Sequence, residues 1–220
     1  MASSPPSEML YDPAPKDACG LGFVARADGR DSHEIVQQGL QILENLNHRG
    51  ATGSDASTGD GAGILTQIPH QFFAGVVAEE AGIKSLPEAD WYAVGTCFFW
   101  GDEDQAKRCE DLFHMITVEE GQRVLGWRDV PFDIDAVGDL ARATAPRIRQ
   151  VFIERTTDSQ SAFERKLYLI RRRLHRTIER AFGLNQFYVV SLSSRTLVYK
   201  GLLQGTQVAP FYKDLSDPRY

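Results

Sequence analysis

Phe163, Leu167, Ile170, Leu174, Ile178 and Ala181 recur at spacings of three and four. That period places them on one stripe of a long helix. Such a helix cannot stand alone, because its stripe must be covered by another layer of secondary structure. The candidates for that layer are β-prone. Trp91–Trp100 is rich in aromatic and β-branched residues, and Arg147–Ile153 alternates polar with apolar. Gln186–Leu192 and Arg195–Leu203 read as two strands joined around Ser193-Ser194 in a hairpin. Ile64–Ile68 reads as a buried strand ended by Pro69, and Cys19–Ala25 as a short first strand. Asp28-Gly29-Arg30 is a turn. Ser32 opens a helix with Glu34 in its first turn, where the helix dipole favours an acid. Ile35, Gly39, Ile42 and Leu46 share its face, flanked by Val36, Leu40 and Leu43, and it breaks at Arg49-Gly50. Further helices are expected over His70–Gly82 and Asp104–Glu120, with a loop through Gly126 and Pro131 and an irregular stretch over 204–220. The long helix stops near Gly183. This mixture predicts an α+β layered fold and disfavours a doubly wound parallel sheet.

The 220 residues suffice for one large domain or two small ones. The net charge of −6 argues against bulk nucleic-acid binding. Three cysteines, Cys19, Cys97 and Cys109, do not make a secreted disulfide framework. No apolar run approaches the roughly 20 residues that span a bilayer. The expected setting is the reducing cytoplasm. Residues 1–18 form a leader holding Pro5, Pro6, Pro13 and Pro15, with neither the apolar centre of a secretory signal nor the arginines of a transit peptide. It reads either as a loose terminus or as a pro-segment. Residues 19–220 form the remaining unit.

Residues 50–63 carry Gly50, Gly53, Gly59, Gly61 and Gly63. A phosphate-binding P-loop is excluded because no lysine occurs between Lys16 and Lys84. The dinucleotide fingerprint fails as well, since Gly61-Ala62-Gly63 runs into Ile64-Leu65-Thr66 and the loop lies between a helix and a strand. The glycines imply a backbone that turns tightly or approaches something closely. Asp55 and Asp60, within the loop, read as turn or cap residues.

Cys19 follows the leader and precedes Gly20. A lone cysteine is ordinarily a small buried hydrophobe. Cleavage between Ala18 and Cys19 would instead put a thiol and a free α-amine on one residue. That amine titrates near about 7.7–8.0, so it can act as the general base for its own thiol without a histidine. Cys97, beside Phe98, Phe99 and Trp100, and Cys109, on a helix, read as core. His33, His48, His70, His114 and His175 are scattered, which disfavours a zinc site.

Asp17-Ala18-Cys19-Gly20-Leu21-Gly22-Phe23 resembles the mature start of the class II glutamine amidotransferases, the N-terminal-nucleophile type. His48-Arg49-Gly50-Ala51 looks like the His-Arg-Gly element of that superfamily. Thr58-Gly59-Asp60-Gly61-Ala62-Gly63-Ile64-Leu65 narrows the likeness to the glutamate synthase large chain. Val124–Pro131, Ser193-Ser194-Arg195-Thr196, Tyr199-Lys200-Gly201 and Asp214–Arg219 fit the same family. The resemblance implies the αββα sandwich of N-terminal-nucleophile hydrolases, incomplete at the C-terminus. It implies Cys19 as the catalytic nucleophile that attacks glutamine, releases ammonia and leaves a glutamyl thioester. In the whole enzyme the ammonia meets 2-oxoglutarate at a separate site and yields glutamate. It implies Arg49 as a substrate-binding residue, although a loop arginine also commonly caps the preceding helix. No cofactor is implied for this segment. FMN, an iron–sulfur cluster and NAD(P)H or ferredoxin are implied for the full-length enzyme. The implied partners are glutamine, the remainder of the large chain and a small subunit, with neither nucleic acid nor membrane.

The family's His-Ser-Arg-Phe-Ser element, whose arginine grips the glutamine carboxylate, does not occur in the 220 residues. Neither does the His-Asn-Gly-Glu element that supplies the oxyanion hole. The expectation is an isolated chain with negligible glutaminase activity and marginal stability. The alternative function is a noncatalytic subunit or interaction module. It would use the basic helix 163–182, where Arg165, Lys166, Arg171, Arg172, Arg173, Arg176 and Arg180 outnumber Glu164 and Glu179 and most of them lie opposite the apolar stripe.

Overall fold

The computed structural model describes residues 19–50, 52, 55–182 and 187–220. The leader and Gly183, where the long helix is expected to stop, lie outside the described residues. In chain order the elements are α1 (His33–Asn45), β1 (Ala62–Gln67), α2 (His70–Glu80), β2 (Tyr92–Phe99) and α3 (Glu103–Glu119). There follow β3 (Arg123–Asp129), α4 (Asp139–Ala143), β4 (Arg147–Glu154), α5 (Gln160–Phe182), β5 (Phe187–Ser193), β6 (Thr196–Gly201) and α6 (Val208–Phe211). Short 3-10 turns cover Asn47–Arg49, Ile134–Ala136, Gly205–Gln207 and Lys213–Ser216.

An antiparallel four-stranded sheet runs in the order β3-β4-β2-β5. Its two central strands alternate residues between two cores, as the pleat dictates. Ala93, Cys97, Phe99, Val151 and Ile153 point to one side, where they meet α3 and the Phe163/Leu167/Ile170/Leu174/Ile178 stripe of α5. The long helix thus finds its cover in this sheet. Tyr92, Val94, Phe98, Ile148 and Phe152 point to the other side, against α2, β6 and the segment from Val208 to Tyr220. The α+β class follows directly.

Four expectations from sequence need correction. Residues 123–129 form a strand, whereas a loop through Gly126 is expected; the ladder with β4 shifts register between Val124 and Gly126, so the glycine marks a bulge. β5 and β6 do not pair as a hairpin. β5 pairs with β2, while β6 pairs with β1 in a separate two-stranded sheet. The chain crosses from one sheet to the other at Ser193–Arg195. There the Glu164 carboxylate of α5 accepts hydrogen bonds from the Ser193 hydroxyl (3.0 Å) and from the Ser194 amide (2.6 Å) and hydroxyl (2.7 Å). Finally, Cys19–Ala25 is irregular and pairs with no strand among the described residues. It lies along α1 instead. A Cβ on Gly22 would sit 2.4 Å from Ile42 Cγ2, an approach only glycine allows. β1 is also only partly buried, with Leu65 62% exposed.

The remaining helices start and stop where local chemistry requires. Ser32 caps α1 by accepting the Glu34 amide, and Asp102 with Gln105 forms a capping box on α3. Between the sheets lies a buried ion pair. Arg128 of β3 donates two 2.7 Å hydrogen bonds to Asp214 and one of 2.9 Å to Gln150, and it also pairs with Glu80. Tyr199 of β6 donates to Asp214 at 2.7 Å and accepts from Gln150 at 3.0 Å. Removing Asp214 leaves Arg128 paired with Glu80 alone, so the loss is expected towards the lower end of the about 3–5 kcal/mol that breaking a buried pair costs. Asp214→Ala is therefore expected to lower unfolding free energy by about that amount in urea denaturation, with little change in slope. The double replacement Arg128→Met with Asp214→Leu should recover much of the loss.

Candidate active site

α1 ends at Asn45, and the 3-10 turn Asn47–Arg49 carries the chain away from its axis. Arg49 is exposed at the end of that turn. A Cβ on Gly20 would lie 3.4 Å from Arg49 Cβ and 3.1 Å from Leu46 Cδ2. The residue after Cys19 therefore rests directly against Arg49. The guanidinium makes no hydrogen bond or ion pair among the described residues, so it does not act as a helix cap there.

The glycine loop closes on itself through an antiparallel bridge between Thr52 and Gly59. Its base is pinned from outside. Gln204 Nε2 donates to the Ala56 carbonyl and Gln207 Nε2 to the Ser57 carbonyl, at 2.7 and 2.8 Å. A Cβ on Gly59 would stand 2.2 Å from the Leu203 carbonyl oxygen, so the glycine lets two backbones meet. Asp55 is a turn residue, accepting the Ser57 amide and the Thr58 hydroxyl, both at 2.8 Å. Those bonds hold its carboxyl below the usual range, the Ser57 amide being the larger cause. Asp60 lies beside the start of the loop, with Oδ1 3.6 Å from where a Gly50 Cβ would be.

Cys19, Arg49, Asp60 and the loop meet in one cleft of about 1210 Å³. Its floor is β1 and β6, and one wall is the Ile35/Gly39/Ile42/Leu46 face of α1. The expected α1 face is thus divided: Val36 and Leu40 enter the core, while the other four are half-buried along the cleft. Lys200, Arg219 and Tyr220 also line the cleft. None of these three is singled out by the sequence reading. The available signal was the period of β6, on which Leu197 and Tyr199 are buried while Thr196, Val198 and Lys200 turn to the cleft. Tyr220 is held by Thr66, whose hydroxyl lies 2.9 Å from the Tyr220 hydroxyl.

The three cysteines separate by environment. Cys97 and Cys109 are buried, and burial pushes both thiols up, out of the reactive range. Cys19 is exposed at the cleft. Among the described residues no group of three or more His, Cys, Asp or Glu is placed to hold a metal ion, and two of the three thiols sit apart in the core. These residues do not fit an iron–sulfur cluster. No helix of the described residues is long and apolar enough to cross a membrane.

The family model described as "Glutamine amidotransferases class-II" matches residues 19–220. The chain is 44% identical over 222 residues to the glutamate synthase [NADPH] large chain of Bacillus subtilis (strain 168), an alignment covering 98% of the chain and 14% of that protein. It is 37% identical to the corresponding large chain of Azospirillum brasilense, over 96% of the chain and 14% of that protein. It is 36% identical to the chloroplastic ferredoxin-dependent glutamate synthase of Oryza sativa subsp. japonica, over 93% of the chain and 13% of that protein. The chain thus spans about one seventh of the length of these relatives.

Two outcomes are expected. A soluble alkylating reagent should modify Cys19 in the native chain, and Cys97 and Cys109 only after denaturation, as read by peptide mass mapping. Asp217, paired with Arg219 at the cleft rim, has its carboxyl pulled down to about 2, chiefly by that hydrogen-bonded arginine. Its stabilisation is present above the unfolded value of about 3.9 and is lost as pH falls towards the folded one. Thermal melts between these values should show Asp217→Asn less acid-sensitive than the parent chain.

Proposed function

The chain belongs to the class-II glutamine amidotransferase family, and on that premise we propose that it is the glutaminase portion of a glutamate synthase large chain. Cys19 is the nucleophile in this reading. Its thiolate attacks the side-chain amide carbon of glutamine, forming a C–S bond. The C–N bond breaks, and the amide nitrogen leaves as ammonia after taking the thiol proton. Water then cleaves the thioester, releasing glutamate and restoring the thiol. The base is the Cys19 α-amine, which becomes available once residues 1–18 are removed.

The observation that carries the proposal is the meeting of Cys19, Arg49 and the pinned glycine loop in a single cleft. Arg49, against Gly20 and without a partner of its own among the described residues, supplies positive charge for an anionic part of the substrate. The glycine loop shapes the wall opposite α1. The fold assigned to this reading is the αββα sandwich of N-terminal-nucleophile hydrolases. The helix–sheet–sheet order of α3/α5, the four-stranded sheet and β1/β6 supports it. FMN, an iron–sulfur cluster and the electron donor, NAD(P)H or ferredoxin, belong in this proposal to the rest of the full-length enzyme. Glutamine, that remainder and a small subunit are its partners, and the cytoplasm is its location, where all three thiols stay free.

The family elements that grip the substrate carboxylate and form the oxyanion hole do not occur in the 220 residues. Loss of a single oxyanion donor costs about 10²–10³ in rate. The isolated chain is therefore expected to show no glutamine turnover above that of Cys19→Ala. Turnover by the isolated chain that Cys19→Ala abolishes would overturn the inactivity. The nucleophile is tested in a chimera in which residues 19–220 replace the matching segment of the Bacillus subtilis large chain. Glutamine-dependent glutamate formation is expected there and should fall by about 10³-fold or more with Cys19→Ala. Synthesis from added ammonia should survive the substitution. A chimera equally active with and without the thiol would sink the assignment.

A further inference from the structure

α5 has work for only part of its basic side chains. Lys166 and Arg173 turn towards α3, where they pair with Glu119 and Glu120 and tie the two helices together. Arg165, Arg172 and Arg176 are exposed and have no ion-pair partner among the described residues. They lie on one face, two turns and then one turn apart, directed away from the buried stripe. Between them, on the same surface, stand Tyr168 and Leu169, 63% and 43% exposed.

We propose that this outer face of α5 is a docking surface for an acidic protein surface with an apolar centre. Charge is the first argument. The chain as a whole carries −6, so a cationic helix face is a local reversal of its field and selects partners of opposite sign at close range. The second argument is the composition of the patch. Arginine and tyrosine around an aliphatic centre are the residues over-represented where protein interfaces concentrate their energy. Duplex DNA or RNA would use the arginines but leave Leu169 without a role, and the overall negative charge opposes a polyanion of such length. The surface is separate from the Cys19 cleft, so its test does not depend on the glutaminase assignment.

The test uses the full chain and three defined probes. The first is an acidic helical peptide with glutamates one turn apart around a central leucine; the others are a short duplex DNA and vesicles of anionic lipid. The peptide is expected to bind in low salt and to weaken by about tenfold or more towards 0.5 M salt. The charge reversal R165E/R172E/R176E should abolish binding. Tyr168→Ser with Leu169→Ser, both on exposed positions, should weaken it by about threefold or more while leaving the thermal melt unchanged. No peptide binding in low salt, or tighter binding of duplex or vesicles, would overturn the proposal. So would indifference to the Tyr168 and Leu169 changes, or a salt-sensitive dimer abolished by the charge reversal, which would give the face to a second copy.

Discussion

The two sheets meet through a buried polar cluster built around one salt bridge. Arg128 reaches from β3 to Asp214, beyond the end of the last helix, and the two side chains are almost wholly inaccessible. Burial alone would pull the guanidinium pKa down; the hydrogen bonds and charges of Asp214 and Glu80 reverse that and raise it. The Asp214 carboxylate also accepts from Tyr199, and Gln150 links the Arg128 guanidinium to the Tyr199 hydroxyl, so one polar cluster joins β3, β4 and β6. Arg128 further packs across the rings of Phe72 and Phe73 on α2. Dry packing of the same volume would hold these elements as firmly. What the polar cluster adds is direction, because each hydrogen bond has one acceptable partner and one acceptable geometry.

That direction matters for the cleft. Tyr199 is buried on the inner face of β6, and its neighbours Val198 and Lys200 are thereby turned outward to the cleft floor. A slip of one residue in β6 would reverse the strand, putting Lys200 into the core. Tyr212 reinforces the same register by donating to the Lys200 carbonyl at 2.7 Å. The segment from Val208 to Tyr220 therefore acts as a strap. It carries Asp214 to the ion pair, Tyr212 to β6 and Tyr220 to Thr66 at the cleft.

The sequence is most legible where one residue period meets one environment. α5, α3, β2 and β4 repeat over many residues, and each buries its apolar face completely, so their existence and type can be read directly. Ser32 and its acidic neighbour likewise declare α1. β3 is harder. Gly126 looks like a loop residue, but it is a bulge, and a bulge is a property of the partner strand as much as of its own residues. The supposed hairpin fails for a related reason. Two strands joined by a short turn pair only if no other edge competes, and here β2 and β1 each claim one of them. Cys19–Ala25 reads as a strand because Leu21 and Phe23 alternate with glycines, yet 95% and 89% of those two side chains remain exposed. The alternation is real, but no edge is offered to it among the described residues. Cys19 and Arg49 are marked as candidates through likeness, and both line the cleft; Asp214 and Arg128 are invisible as a pair because nothing local links residues so far apart in the chain.

The four-stranded sheet thus separates two kinds of packing. On the α3/α5 side the core is apolar from Ala93 to Leu192, and the helices there are free to vary on their outer faces. On the other side, aromatic rings and aliphatic side chains pack around a hydrogen-bonded ion pair that Tyr199 joins. The cleft lies over this second, directed core, against β1 and β6. A cleft that gathers a thiol, an arginine and a glycine loop along one lining is best served by a floor that does not slide. The outer face of α5, on the far side of the sheet, needs no such rigidity, since a docking surface works through charge and a few exposed side chains. The division of chemistry between the two faces follows from the division of packing beneath them.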